Sequence, residues 1–111
     1  MTVFELIIAG KIPCIKVFEN EHILAIEDLY PVAPVHILIM PKKHFPNLQS
    51  LSKIDFSLLG EIVEVAQRLA KERGVENSYR FLTNNGPDAG QSIFHLHFHL
   101  IGGKVLGPLD A

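Results

Sequence analysis

Half of the six histidines in this chain fall on alternate positions of one short run, FHLHFHLIGG, residues 94–103. His95, His97 and His99 therefore share one face of an extended segment, while Leu96, Phe98 and Leu100 share the other. At a rise of about 3.3 Å per residue, neighbouring imidazoles start about 6.6 Å apart and the outer two about 13 Å apart. Three chemistries suit such a set: holding a metal, handling a proton and a nucleophile, or solvating an exposed strand. Zinc needs nitrogens about 2.0–2.1 Å away. Two of these rings can converge on one ion, but three on a straight strand would need a bulge or strained side chains. No Cys, Asp or Glu lies within residues 94–103 to complete a shell. A purely solvated face is disfavoured by the bulky apolar residues between the histidines, which anchor the strand on one side.

The loop just before the run, NNGPDAGQS at residues 84–92, adds to the nucleophile reading. Glycines let backbone N–H groups approach an anion, and Ser or Gln side chains add donors. By default such a cluster is a connector. Beside three histidines it reads as a cradle for an oxyanion or a phosphate. A neutral imidazole can then attack phosphorus while a second ring stabilises charge.

These residues must be positioned by the rest of the chain. Residues 2–9 read as a short helix closed by Gly10 and Pro13. IKVFEN (15–20) and HILAIEDL (22–29) are β-type runs, YPVAP is a rigid connector, and VHILIMPKKH (35–44) is a largely buried strand. Residues 53–73 give the clearest helix, with Leu58, Leu59, Ile62, Val63, Ala66, Leu69 and Ala70 as its apolar face. Ser52 stands as its N-cap, Gly74 as its stop, and Glu64 with Arg68 as an i, i+4 pair. YRFLTNN (79–85) and IFHLHFHLI (93–101) complete five strands. The pattern predicts an α+β fold: a mostly antiparallel five-stranded sheet, one long helix and a short N-terminal helix.

The 111 residues fit one domain, with 103–111 a short tail that Gly107 and Pro108 keep from being a helix or strand. A net charge of −2 with interspersed signs disfavours nucleic acid as a partner. No apolar run reaches the ~20 residues of a membrane span, and the N-terminal residues make a poor signal peptide. Cys14 is the sole cysteine, read as a small buried filler, and it suits a reducing compartment. A cytoplasmic protein is expected.

HLHFHLI matches H-φ-H-φ-H-φ-φ, the signature of the histidine triad superfamily, and the wider pattern resembles its Hint branch of nucleotide-binding phosphoramidases. GKIPCIKVFEN, AIEDLYPVAPVHILIMPKKH and NNGPDAGQSIFHLHFHLIGG carry the likeness over roughly residues 3–103. The resemblance implies a homodimer whose sheets join across the interface. It also implies hydrolysis of purine nucleoside 5′-phosphoramidates through a nucleotidyl-histidine intermediate, with no metal or other cofactor. His97 would be the nucleophile, His99 would contact the α-phosphate, His95 would orient the nucleophile, and His36 would complete the proton network. Asp28, with Leu29 beside it, would hold the ribose, and Asn84, Gly90, Gln91 and Ser92 would form the phosphate loop. Val3, Phe4 and Ile26 are expected to offer an apolar slot to the base. His22 and His44 match nothing in the pattern and read as surface residues. The tail, KVLGPLDA, departs from some relatives in lacking an aromatic residue, which bears on the leaving group. A binding module with incidental catalysis and a metal-binding domain are the competing classes.

Overall fold

A computed structural model describes residues 1–109; Asp110 and Ala111, part of the expected tail, lie outside the described residues. Thr2 starts the chain's first helix, α1 (Val3–Ile8), with a reciprocal cap. Its hydroxyl accepts from the Glu5 N–H at 3.1 Å, and the Glu5 carboxylate accepts from the Thr2 N–H at 2.9 Å. The strands are β1 (Lys16–Glu19), β2 (Ile23–Glu27), β3 (Val35–Pro41), β4 (Tyr79–Leu82) and β5 (Phe98–Gly102), with the long helix α2 (Phe56–Glu72) between β3 and β4. The sheet order is β1-β2-β3-β5-β4 and every pairing is antiparallel. The expected α+β architecture is present.

Alternation divides the sheet into two faces. Ile23, Ala25, Val35, Ile37, Ile39 and Leu100 pack with Ile62, Ala66, Leu69 and Ala70 of α2. Leu24, Ile26, Leu38 and Met40 point the other way and pack with Phe4 and Ile7 of α1. On α2, Val63 is 45% exposed and Val65 is buried in its place, a shift of the apolar stripe from the expected one. The helix also starts later than expected. Lys53–Asp55 form a separate 3-10 turn, and Ser52 donates both its N–H and its hydroxyl to Asp55 Oδ2 at 3.0 Å instead of acting as an acceptor cap.

The largest departure concerns the histidine run. Only residues from Phe98 onward join the ladder, so β5 covers His99 but neither His95 nor His97. The cause lies in β3, which ends at Pro41, a residue with no N–H to extend a ladder. Residues 93–97 run past that end. There the Leu96 N–H donates to the Phe45 oxygen at 2.6 Å, and the Thr83 hydroxyl donates to the His97 oxygen at 2.7 Å where β4 has stopped. Within β5 the odd-even order of side chains holds: Phe98 and Leu100 pack on the α2 side of the sheet.

At its far end β5 is tightly flanked. A Cβ on Gly102 would stand 3.2 Å from the Val75 Cβ and 3.4 Å from the Ser78 oxygen. Residues 104–109 are neither helix nor strand, as expected, and the Gly107 oxygen accepts from Arg80 Nη2 at 2.7 Å. No helix among the described residues is long and apolar enough to cross a membrane.

Candidate active site

The site lies on the sheet face opposite α2, where the end of β5, the loop before it and α1 meet. In the β3–β5 ladder His36 pairs with Ile101 and Leu38 with His99, so His36 and His99 are diagonal neighbours on one face. His36 Nε2 is 2.9 Å from His99 Nδ1 and 3.3 Å from Asp28 Oδ2. His36 is buried, and its Nδ1 accepts the Val32 N–H at 3.1 Å. That one backbone donor decides the protons beyond it. With Nδ1 an acceptor, a neutral His36 carries its proton on Nε2 and donates it to His99 Nδ1, so the proton of a neutral His99 rests on Nε2.

His97 is set by the opposite device. Its Nδ1 donates to the main-chain oxygen of His95 at 2.7 Å, leaving Nε2 as an unprotonated nitrogen with a free lone pair. Phe4 of α1 stands edge-on to the ring, centroids 4.9 Å apart, and the His97 and His99 rings are 5.3 Å apart. His95 itself is fully buried. Its Nε2 donates to the Pro41 oxygen at 2.7 Å and its Nδ1 accepts from His44 Nδ1 at 3.1 Å.

Burial weakens the charged form of all three run histidines and lowers their pKa values. For His99, with His97 and His36 adding repulsion, the value falls to about 4. Near neutral pH the rings are therefore uncharged, as an attacking imidazole must be.

A cavity of about 430 Å³ opens onto His97 and His99. Its apolar wall includes Val3, Phe4, Ile7, Ile26 and Leu38, which contains the expected slot. Its polar end carries Asp28, Asn84, Gly90, Ser92, His97 and His99, with Leu29 at the rim. Gly90 holds φ +99°, a left-handed turn that a side chain would strain, and this bends the loop toward Asn84. Cys14 also lines this cavity and is half-buried, where a fully buried filler was expected.

Three expected contributors, Gln91, His95 and His36, do not line the cavity directly. The Gln91 side chain, 5% exposed, turns inward: Oε1 accepts from the Gly86 N–H at 2.8 Å, and Nε2 donates to the Pro46 and Ile93 oxygens at 2.7 and 3.1 Å. Its own N–H is bonded to the Gly86 oxygen, so Gln91 staples the loop. His95 likewise stands behind the cavity. Asp28 does reach it, yet it also accepts the Tyr30 N–H at 2.8 Å, forming the local turn.

His44 is exposed, as expected, but it has partners the sequence did not reveal. It is bonded to His95 and lies 3.6 Å from Glu5 Oε1, so it belongs to the site's polar network although its side chain is 40% exposed. Nothing local marks a histidine at the end of PKKH as different from a surface one. His22 is exposed, as expected, and its Nδ1 sits 3.0 Å from Glu61, a pairing that raises its pKa.

Among the described residues, Asp28, His36 and His99 bring ligand atoms within 4.8 Å of one another. Two nitrogens on one tetrahedral zinc would be about 3.3 Å apart. The 2.9 Å between His36 and His99 is instead a hydrogen-bond separation.

The HIT domain family matches residues 9–106 of the chain. An uncharacterized HIT-like protein of Chlamydia muridarum is 52% identical over 108 residues, which span 97% of this chain and 86% of that protein. A 14 kDa zinc-binding protein of Zea mays is 42% identical, over 95% of this chain and 84% of its own. A HIT family hydrolase from Legionella pneumophila Philadelphia 1 superposes with a TM-score of 0.94 at 38% identity, covering 96% of both chains. A histidine triad nucleotide-binding protein from Candida albicans gives 0.82 at 32%, over 100% of this chain and 85% of that one.

Proposed function

Since the chain belongs to the HIT domain family, we propose that it is a nucleotide-binding hydrolase that cleaves the P–N bond of purine nucleoside 5′-phosphoramidates. The observation that carries this reading is the 2.7 Å bond from His97 Nδ1 to the His95 oxygen, which frees Nε2 at the polar end of the cavity. The base would lie against Phe4 and Ile26, the ribose against Asp28, and the phosphate among Ser92, Asn84, Gly90 and His99. A volume of about 430 Å³ is in the range of small-ligand sites.

His97 Nε2 attacks phosphorus, and the P–N bond breaks as the amine leaves with a proton from solvent. The intermediate is a nucleotidyl-histidine whose positive ring keeps its Nδ1–H on the His95 carbonyl, a dipole already aimed at that charge. His99 Nε2–H donates to a phosphoryl oxygen, its proton held there by the His36 relay. Water then attacks phosphorus, releasing the nucleotide, a proton and neutral His97. Side chains and water suffice for each step.

We further assign the working form as a homodimer in the cytoplasm. Support for the dimer is that β4 lies at an open edge of the sheet, where a second copy can extend it.

The test is incubation with adenosine 5′-phosphoramidate, with product analysis and intact mass. The wild type should release AMP and ammonia, and a quenched sample should carry one adenylyl group. His97→Ala should lose at least about a thousandfold in kcat while still binding AMP. Turnover by His97→Ala at the wild-type rate would overturn the assignment.

A further inference from the structure

We propose that His44, backed by Glu5, is a positioning residue for the nucleophile, acting on His97 through His95. The carbonyl that orients His97 belongs to a residue outside the ladder, so strand pairing does not fix it. Something else must. The Leu96 N–H bond to Phe45 holds the segment from one side. On the other, the His95 ring is pinned at both nitrogens: Nε2 donates to the Pro41 oxygen, and Nδ1 accepts the His44 Nδ1–H at 3.1 Å. His44 can donate there only with its proton on Nδ1. The Glu5 carboxylate, 3.6 Å from that nitrogen, favours this tautomer by its charge. Glu5 is in turn fixed by the cap it forms with Thr2.

The consequence is a line of contacts from the first turn of α1 to the nucleophile: Glu5, His44, the His95 ring, the His95 carbonyl, His97 Nδ1. His95 is fully buried, so a lost donor at its Nδ1 leaves a lone pair with no partner in the interior. The ring then turns, the main chain follows, and His97 is no longer confined to the tautomer with Nε2 free. The ground-state fit of a nucleotide is untouched, because neither His44 nor Glu5 lines the cavity.

The kinetic consequence rests on the function proposed above; the structural one does not. Two variants separate hydrogen bonding from packing. His44→Leu fills the space, excludes water and removes the donor. His44→Asn places an amide N–H where Nδ1 stood. With melting temperatures recorded for both, His44→Leu should lower kcat for adenosine 5′-phosphoramidate at least tenfold, with KM within about twofold of wild type. His44→Asn should recover to within about threefold. Independently of any substrate, long-range 1H–15N spectra should show wild-type His97 with one unprotonated nitrogen, Nε2. The same spectra should show averaging of both tautomers in His44→Leu and the wild-type pattern in His44→Asn. A single wild-type tautomer in His44→Leu, or an Asn variant as impaired as the Leu variant, overturns the proposal. Absence of turnover by the wild type would overturn the function and leave the spectra to decide the role of His44.

Discussion

The Val32 N–H donates to His36 Nδ1 at 3.1 Å, and through that bond a loop residue sets which nitrogen of His99 bears a proton. Val32 sits between Pro31 and Pro34, in a connector too rigid to withdraw the donor at little cost. The polarity of the His36–His99 pair is thus a property of the backbone as much as of the histidines.

The neutral histidines imply a particular pH profile. A ring in water titrates near 6.5, whereas burial lowers His97 and, with its neighbours' repulsion, brings His99 to about 4. Because both pKa values are depressed, the neutral rings persist as pH falls below 6.5. We expect the acid limb of kcat/KM to lie below 6.5, because protonation of either ring is displaced downward from the value of a free imidazole. Stability has the same sign: the unfolded chain takes up a proton on His99 near 6.5 and the folded chain only near 4, so unfolding free energy drops as pH falls through that window. Urea midpoints and kcat/KM measured at matched pH values check both. An acid limb centred at 6.5 contradicts the expectation.

Asp28 both faces the cavity and meets His36 at 3.3 Å. Each carboxylate oxygen has two lone pairs, so the Tyr30 N–H bond and the approach to His36 leave capacity for ribose hydroxyls. Asp28→Ala should weaken AMP binding about tenfold and binding of a 2′,3′-dideoxy analogue by clearly less, as measured by calorimetry. Equal losses for the two ligands would confine Asp28 to the turn and the histidine relay.

Gln91 makes a stability prediction instead of a binding one. Gln91→Ala orphans the Gly86 N–H and the Pro46 and Ile93 oxygens, and should cost about 2–4 kcal/mol in urea unfolding. A change below about 0.5 kcal/mol would show that the loop closes without this staple.

The broad architecture was legible because periodicity reports faces. Leu24, Ile26 and Leu38 alternate with Ile23, Ala25 and Ile37 in the sequence as they do in the sheet. The junction was not legible. HLHFHLI alternates perfectly, yet it leaves the ladder at Phe98 because a proline forty residues or more upstream ends the partner strand. Alternation records side-chain direction and is silent on hydrogen-bond partners. Glu5 and His44 escaped for a related reason: their proximity is tertiary, and neither lies in a patterned motif. The position of Gln91 places it in the loop, while its burial depends on how the loop folds back.

Chelation tests the competing metal class, since imidazole is a common zinc ligand. Exhaustive dialysis against a chelator should leave kcat for the phosphoramidate within about twofold, alongside elemental analysis of untagged protein. Loss of turnover together with release of one equivalent of metal would place an ion in the site.

The crowding at Gly102 gives the protein a second kind of vulnerability. A methyl group there meets the Val75 Cβ at 3.2 Å, tighter than ordinary packing, while the Ser78 main-chain oxygen at 3.4 Å is at ordinary contact. Relief comes from a shift of a few tenths of an ångström in Val75 or in β5, and where β5 moves it carries His99, three residues away. A substitution far from any ligand would then read, in an activity screen, like a hit on the chemistry itself. Mutational scanning by function alone would rank Gly102 among the reactive groups, and only a parallel measurement of folding would return it to the scaffold.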